Sequence, residues 1–571
     1  MKYLKTRKFA LSLRFLAGLT ASILACGLTH TPSALADDAA VLRPGNLLVS
    51  RVVYDNNSAN VVAGVTLLPP GCTSGCKKAT ADGTYPGIFN NASVDSSFGI
   101  TSKIVLDQMT RSGHLIGSLE VPNSSQLNVT ATSDQMVGSF SSKSEVALNL
   151  STDKRSVSFM GYLAPIDTLD VSNSNTPFVV DKTNPVTGAF YRIVAQVDAH
   201  GKFRFTKSNA YSGNNGRATI LNADANVFYT AGNAGNGKGA QPAGIVVGAG
   251  AQILTAAKEP LNAQMDPGLP TPVGSFNITE LGITPTDKIG KDTNFRGLAI
   301  FNNVIYTTKG SGGNGVDTVY FIDSSGSADS NGNPKACPNG TGLPAPFAAL
   351  PTTPLMYAAA NLPTEGVFPY NMCVLKGFNT VLATTSPDSF PFGVWFANAK
   401  TLYVADEGNG SNTFAGGTYA DAAAQTKAGL QKWVFDEVLG QWKLAYVLNA
   451  GLNLGSPYTV DGYPTGTNGA TGLPWSPASD GLRNLTGRVD GDDVTIWAVT
   501  STVSGSGDQG ADPNKLVMIR DELKATTLPA HESFVTLRTA RFGEVLRGVS
   551  FTPETDLSRD ENDDSHDQDH H

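Results

Sequence analysis

Apolar positions in this chain fall in short runs, each closed by a polar or glycine-rich break, and several runs share one grammar. Arg217-Ala-Thr-Ile-Leu-Asn leads to Val227-Phe-Tyr-Thr-Ala-Gly, and Arg296-Gly-Leu-Ala-Ile-Phe leads to Val304-Ile-Tyr-Thr-Thr-Lys. Phe392-Gly-Val-Trp-Phe-Ala precedes Thr401-Leu-Tyr-Val-Ala-Asp, and Arg483-Asn-Leu-Thr-Gly-Arg precedes Val494-Thr-Ile-Trp-Ala-Val. Leu546-Arg-Gly-Val-Ser-Phe-Thr-Pro repeats the opening alone. Runs of this length, rich in β-branched and aromatic residues and bounded by Gly, Asn and Asp, predict strands joined by tight turns. Further strands are predicted at Ser156-Val-Ser-Phe-Met-Gly-Tyr, Tyr191-Arg-Ile-Val-Ala-Gln-Val, Thr318-Val-Tyr-Phe-Ile, Trp442-Lys-Leu-Ala-Tyr-Val-Leu and Lys515-Leu-Val-Met-Ile-Arg. Ala420 to Gln431 is the one segment that reads as a helix.

The openings at residues 217, 296, 392, 483 and 547 are 79, 96, 91 and 64 residues apart. Such spacing is too long and irregular for arrays with periods of about 40–50 residues, and it suits four-stranded units carrying long loops. The last unit is half a unit. Asn46-Leu-Leu-Val-Ser-Arg-Val-Val-Tyr, Lys103-Ile-Val-Leu-Asp and Leu115-Ile-Gly-Ser-Leu-Glu-Val-Pro lack an opening of their own. Joining the two ends completes one unit and removes the sheet edges that an open array must protect. The expectation is an all-β, six-bladed β-propeller whose ring is closed by pairing the C-terminal strand with N-terminal strands. A cryptic unit between Ile322 and Phe390 would make seven blades.

The repeated strand pattern, with segments such as Phe390-Pro-Phe-Gly-Val-Trp-Phe-Ala and Tyr403-Val-Ala-Asp-Glu-Gly-Asn-Gly, resembles secreted bacterial β-propeller proteins of NHL- or lactonase-like architecture. The resemblance covers nearly the whole chain after its leader and implies architecture rather than activity.

Residues 1–36 read as a cleaved signal peptide. Lys2, Lys5, Arg7, Lys8 and Arg14 form a basic region, Phe15 to Leu28 is apolar, and Ala34-Leu-Ala36 is a small-residue cleavage pattern. A rival reading acylates Cys26. No other apolar run reaches the length of a membrane helix. A single domain is expected over 37–555, followed by an acidic, histidine-containing disordered tail over 556–571, in a monomer of the periplasm or the extracellular space. Losing the leader's five basic residues takes the formal charge from −8 to −13, which argues against nucleic-acid partners. The remaining cysteines, Cys72, Cys76, Cys337 and Cys373, allow three pairings; Cys72–Cys76 and Cys337–Cys373 keep each bond within one unit.

Candidate chemistry follows the repeat. Arg217, Arg296, Arg483 and Arg547 occupy the same frame position, at the start of each first strand, so they are expected at the channel mouth. There they would bind a small or anionic ligand, or clasp one blade to the next. Asp406 and Glu407 stand where other copies carry neutral or basic residues; with Asn409 they offer oxygen ligands, Ca²⁺ being the candidate cofactor, or an acid–base pair. An anionic or polyhydroxylated small molecule is expected beside them. Neither HExxH nor G-x-S-x-G is present, and histidines in the body are few. The leading expectation is a binding or scaffold protein; the alternative is a lactonase-like hydrolase holding a divalent metal by carboxylates.

Overall fold

The computed structural model describes residues 41–557, apart from 58, 63, 69–76, 79–98, 123–135, 143, 181–183, 185, 234–249, 258–273, 276–293, 311–315, 325–340, 343–348, 353–371, 382–387, 470 and 507–508. The fold is all-β and propeller-like. Four sheets follow one another along the chain, antiparallel except where Thr341–Gly342 pairs in parallel with Met372–Leu375. The first runs Gly216–Asn222, Val227–Gly232, Ala251–Thr255, Gly274–Ser275. The second begins with Phe295–Phe301, Val304–Lys309 and Thr318–Ile322, and adds Met372–Leu375 and Thr341–Gly342. The third is Pro391–Asn398, Thr401–Asp406, Gly429–Asp436, Gln441–Leu448. The fourth is Ala478–Asp490, Asp493–Val503, Lys515–Glu522, Val535–Thr539. In each, the first two strands are the repeated sentence of the sequence. Two-residue turns join some of them: Asn302 and Asn303 both have positive φ, as does Gly491, the left-handed geometry that tight hairpins need.

The fifth sheet has nine strands, and it joins the two ends of the described chain. Leu47–Val53 lies between Glu544–Phe551 and Thr101–Met109, with Leu47 opposite Phe551 and Val53 opposite Glu544. Ser156–Leu163, Arg192–Asp198 and Phe203–Ser208 form its other half.

The count of separate blade-like sheets is therefore not six or seven. Four blade-like sheets are distinct among the described residues, and two groups that the sequence reads as separate units are merged. The merger has a local cause. Met136–Ser139 pairs on one side with Thr101 and Ser102 and on the other with Tyr162 and Leu163, stitching the two halves into one ladder. Between residues 322 and 390, the described strands both join the second sheet and do not found a seventh unit. The expected helix is confined to Ala420–Ala423. The chain leaves the helix at Ala424, turns again at Gly429 with φ +115°, and Leu430, Gln431 and Lys432 instead pair with Ala405, Val404 and Tyr403.

The sheets bury both faces. Every residue of Val304–Lys309 and of Thr401–Asp406 is buried, because each sheet packs between neighbours. Tyr229, Phe295, Tyr320, Phe396 and Trp442 share one core cluster, and Tyr403, Leu430, Tyr446, Ile496 and Phe534 share the next. The first strands meet backbone to backbone. A Cβ at Gly297 would lie 2.2 Å from the Phe392 carbonyl, and one at Gly393 would lie 2.5 Å from that of Arg483, so the glycines that follow the openings at 296 and 392 are close-approach residues.

Cys373 is buried on Met372–Leu375. Cys72, Cys76 and Cys337 lie outside the described residues, as do the leader and the tail from 558 on. No described helix is long and apolar enough to cross a membrane.

Candidate functional site

Because the first strands meet so closely, the arginines that open them are drawn into the protein. Arg217, Arg296, Arg483 and Arg547 are each at most 7% exposed. The Arg217 guanidinium donates to the Phe295 carbonyl at 2.9 Å and to Asn294 and Asn215, crossing from the first sheet to the second. Arg547 donates to the carbonyls of Phe140 and Gly510. Arg296 reaches Ser144 Oγ at 2.8 Å. Burial drives Arg217 well below its ordinary range, and the neighbouring Arg296 charge adds to that. Burial likewise lowers Arg483.

Glu407 meets two of these cations. Its carboxylate lies 3.2 Å from Arg483 Nε and 3.7 Å from Arg296 Nη2. Both guanidiniums sit over the Phe392 ring, at 5.5 and 5.9 Å from its centroid. One anion, two cations and a ring face thus join the second, third and fourth sheets. Arg217, Arg483 and Arg547 thus each donate to protein oxygens.

Asp406 points the other way. Its carboxylate accepts from Ser389 Oγ (2.7 Å), the Phe390 amide (2.6 Å), the Gly408 amide (3.0 Å) and Gln431 Nε2 (2.9 Å). Burial nevertheless pushes it up to about 7, against the pull of those donors. Asn409 is exposed, and its side-chain oxygen accepts from the Ser411 amide. Asp406, Glu407 and Asn409 thus serve three separate networks rather than one coordination sphere. Among the described residues no group of three His, Cys, Asp or Glu could hold a metal ion.

On the far side of Asp406 opens a cleft of about 420 Å³ between the second and third sheets. Ser389 and Gln431, which hold Asp406, form part of its wall; Asn379, Asp388 and Lys427 provide further polar groups, and Phe378 and Trp433 an aromatic pair. The two rings stack with centroids 3.8 Å apart and planes 21° from parallel. Trp433 donates from its indole to Gln431 Oε1 at 3.0 Å. Lys427 and Asp388 form a 2.6 Å ion pair at the rim.

Reading the sequence finds the arginines, Asp406 and Glu407, but not Phe392 as their platform or Phe378, Gln431 and Trp433 as a wall. Gln431-Lys432-Trp433 does carry a signal. The two outer residues share one side of the strand and line the cleft, while Lys432 is directed to the opposite side.

No protein-family model matches the chain, and no curated protein matches it. Solved structures give distant likenesses. A protein from Lactobacillus plantarum is similar over 78% of this chain and 81% of its own, at 10% identity and a TM-score of 0.30. The N-terminal domain of Nup159 is similar over 81% and 93%, at 7% identity and a TM-score of 0.25. An auxiliary nutrient binding protein from Bacteroides ovatus is similar over 76% and 77%, at 9% identity and a TM-score of 0.22. Likenesses this distant carry no argument about function.

Proposed function

We propose that this chain is a binding protein of the periplasm or the extracellular space, taking a neutral, polyhydroxylated small molecule in the cleft beside Asp406. The observation that carries the reading is the pairing of an aromatic wall, Phe378 with Trp433, with amide, hydroxyl, ammonium and carboxylate groups in one 420 Å³ cleft. Ring faces suit the C–H faces of a polyol, and mixed donors and acceptors suit its hydroxyls. The anionic alternative has less support, since the arginines that would attract it are engaged with protein oxygens.

The rest of the proposal concerns the frame. The leader over 1–36 is removed, the four remaining cysteines pair as Cys72–Cys76 and Cys337–Cys373, and the protein is a monomer. The ring closes with six blades, two of them stitched by Met136–Ser139. Support for closure comes from contacts at the seam: Asn484 Nδ2 donates to the Arg547 carbonyl at 2.6 Å, and Ser158 Oγ to that of Thr219 at 3.0 Å.

Native mass spectrometry and tryptophan-fluorescence titration against neutral mono- and oligosaccharides, with phosphate and sulfate in parallel, test the ligand class. Saccharide binding that Trp433→Ala weakens about tenfold is the expected result. Binding of the anions alone, lost on Arg296→Ala, would sink it.

A further inference from the structure

Away from the cleft, on the opposite side of the third sheet, a lysine is enclosed. Tyr403, Lys432 and Tyr446 stand directly opposite one another on three neighbouring strands, forming one row across the sheet. The row faces Asp521, on Lys515–Glu522 of the fourth sheet. Lys432 Nζ lies 2.9 Å from Asp521 Oδ2, and both side chains have no exposed surface at all. The Tyr446 hydroxyl donates to Asp521 Oδ1 at 2.7 Å, and the Tyr403 hydroxyl donates to Oδ2. Lys432 Nζ lies 5.1 Å from the Tyr446 ring centroid and 5.8 Å from that of Tyr403. Tyr403 and Tyr446 belong to an apolar cluster with Leu430, Val494, Ile496 and Phe534.

A second carboxyl completes the group. Glu532 accepts from the Glu522 amide at 3.1 Å and interacts with the Asp521 carboxyl. Burial first, and then Asp521, push Glu532 up to about 8, so it carries a proton at neutral pH. Asp521, Glu522, Glu532, His531 and Ser533 line an open cleft of about 340 Å³.

An amine and a carboxylate in contact, both out of water, are costly as ions, and proton transfer within the pair removes both charges. The amine lies against the carboxyl, with an adjacent acid to move protons and a tyrosine hydroxyl on each carboxyl oxygen. We propose that Lys432 and Asp521 condense into an intramolecular amide bond that links the third and fourth sheets covalently, with Glu532 as the proton-transfer residue.

The step balances without any oxidant or outside reactant. The Lys432 nitrogen adds to the Asp521 carboxyl carbon while Tyr446 donates to Oδ1. Glu532 gives its proton to Oδ2 and takes one from the nitrogen in its place. The carbon–Oδ2 bond breaks, one water leaves through the Glu532 cleft, and a secondary amide replaces the ion pair. Holding the partners side by side converts a slow bimolecular condensation into a unimolecular one.

The test is peptide mapping by mass spectrometry of the denatured full chain. The expected result is a branched tryptic fragment carrying residues 432 and 521, about one water (18 Da) lighter than its parts, with no cleavage after Lys432. Linear fragments covering both residues, with cleavage after Lys432, would overturn the proposal and leave a plain ion pair. In Glu532→Gln, the branched fragment should fall at least tenfold in yield in protein digested soon after purification. An undiminished yield would overturn the role of Glu532. Neither measurement depends on what occupies the cleft beside Asp406.

Discussion

Two acidic residues adjacent in the chain, Asp406 and Glu407, stand in opposite worlds. Glu407 faces the first strands, where Arg296, Arg483 and the Phe392 ring hold it among charges and backbone carbonyls. Asp406 faces the space between two sheets, where four neutral donors hold it and a cleft begins. The difference is one residue at the end of Thr401–Asp406, and it separates an ion cluster from the wall of a cleft. Charges at the inner side tie sheets to each other; dipoles and rings at the outer side are left for something else.

That contrast can be broken experimentally, and the largest effect is expected at its inner half. Glu407→Ala leaves Arg296 and Arg483 without their shared carboxylate in a buried setting, which costs about 3–5 kcal/mol. A marked drop in melting temperature with saccharide binding retained is expected by differential scanning calorimetry and titration. Unchanged stability would show that the cluster is not a clasp.

Trp433→Ala should do the reverse. Losing one face of the aromatic wall is expected to weaken polyol binding about tenfold, while the fold survives, because Trp433 is only half-buried. Equal loss of binding and cooperative unfolding would merge the two regions into one.

Acidity sharpens the comparison further. Burial raises Asp406 to about 7 in the fold, above its ordinary value of 3.8. The folded state therefore binds more protons than the unfolded state between those two values, so this residue's contribution to stability is present below about 4 and declines as pH rises to about 7. Urea denaturation between pH 4 and pH 8 should show that decline in the parent chain and a flatter profile in Asp406→Asn. A parent profile that rises over the interval would refute the assignment.

The smallest effect belongs to the rim. Lys427→Ala removes an ion pair whose carboxylate is 70% exposed, so thermal stability should hardly move. Binding should weaken only a fewfold. A loss as large as that of Trp433→Ala would move the centre of recognition to the charged edge.

The strand pairs were legible because β-branched and aromatic runs broken by Asn and Gly leave few other conformations. The cause of Gly297 and Gly393, an approaching carbonyl from the next sheet, belongs to three dimensions. Met136–Ser139 was not legible. Four residues that pair with only two at each end carry no periodicity, yet they decide how many sheets are separate. The arginines were legible in place and ambiguous in role, since a guanidinium looks the same whether a carbonyl or a ligand receives it. Phe378 and Trp433 come from separate strand units 55 residues apart, and only the packing of two sheets makes them one wall.

The ladder between Leu47–Val53 and Glu544–Phe551 sets a schedule for the molecule's birth. Almost five hundred residues must be made before the first strand of the body meets its neighbour on that side. Until then the newborn chain carries an unzipped edge, open to other chains and to proteases. Contacts so remote in sequence form late and slowly, so a truncation that removes only the last thirty residues would leave a nearly full-length chain permanently in that juvenile state.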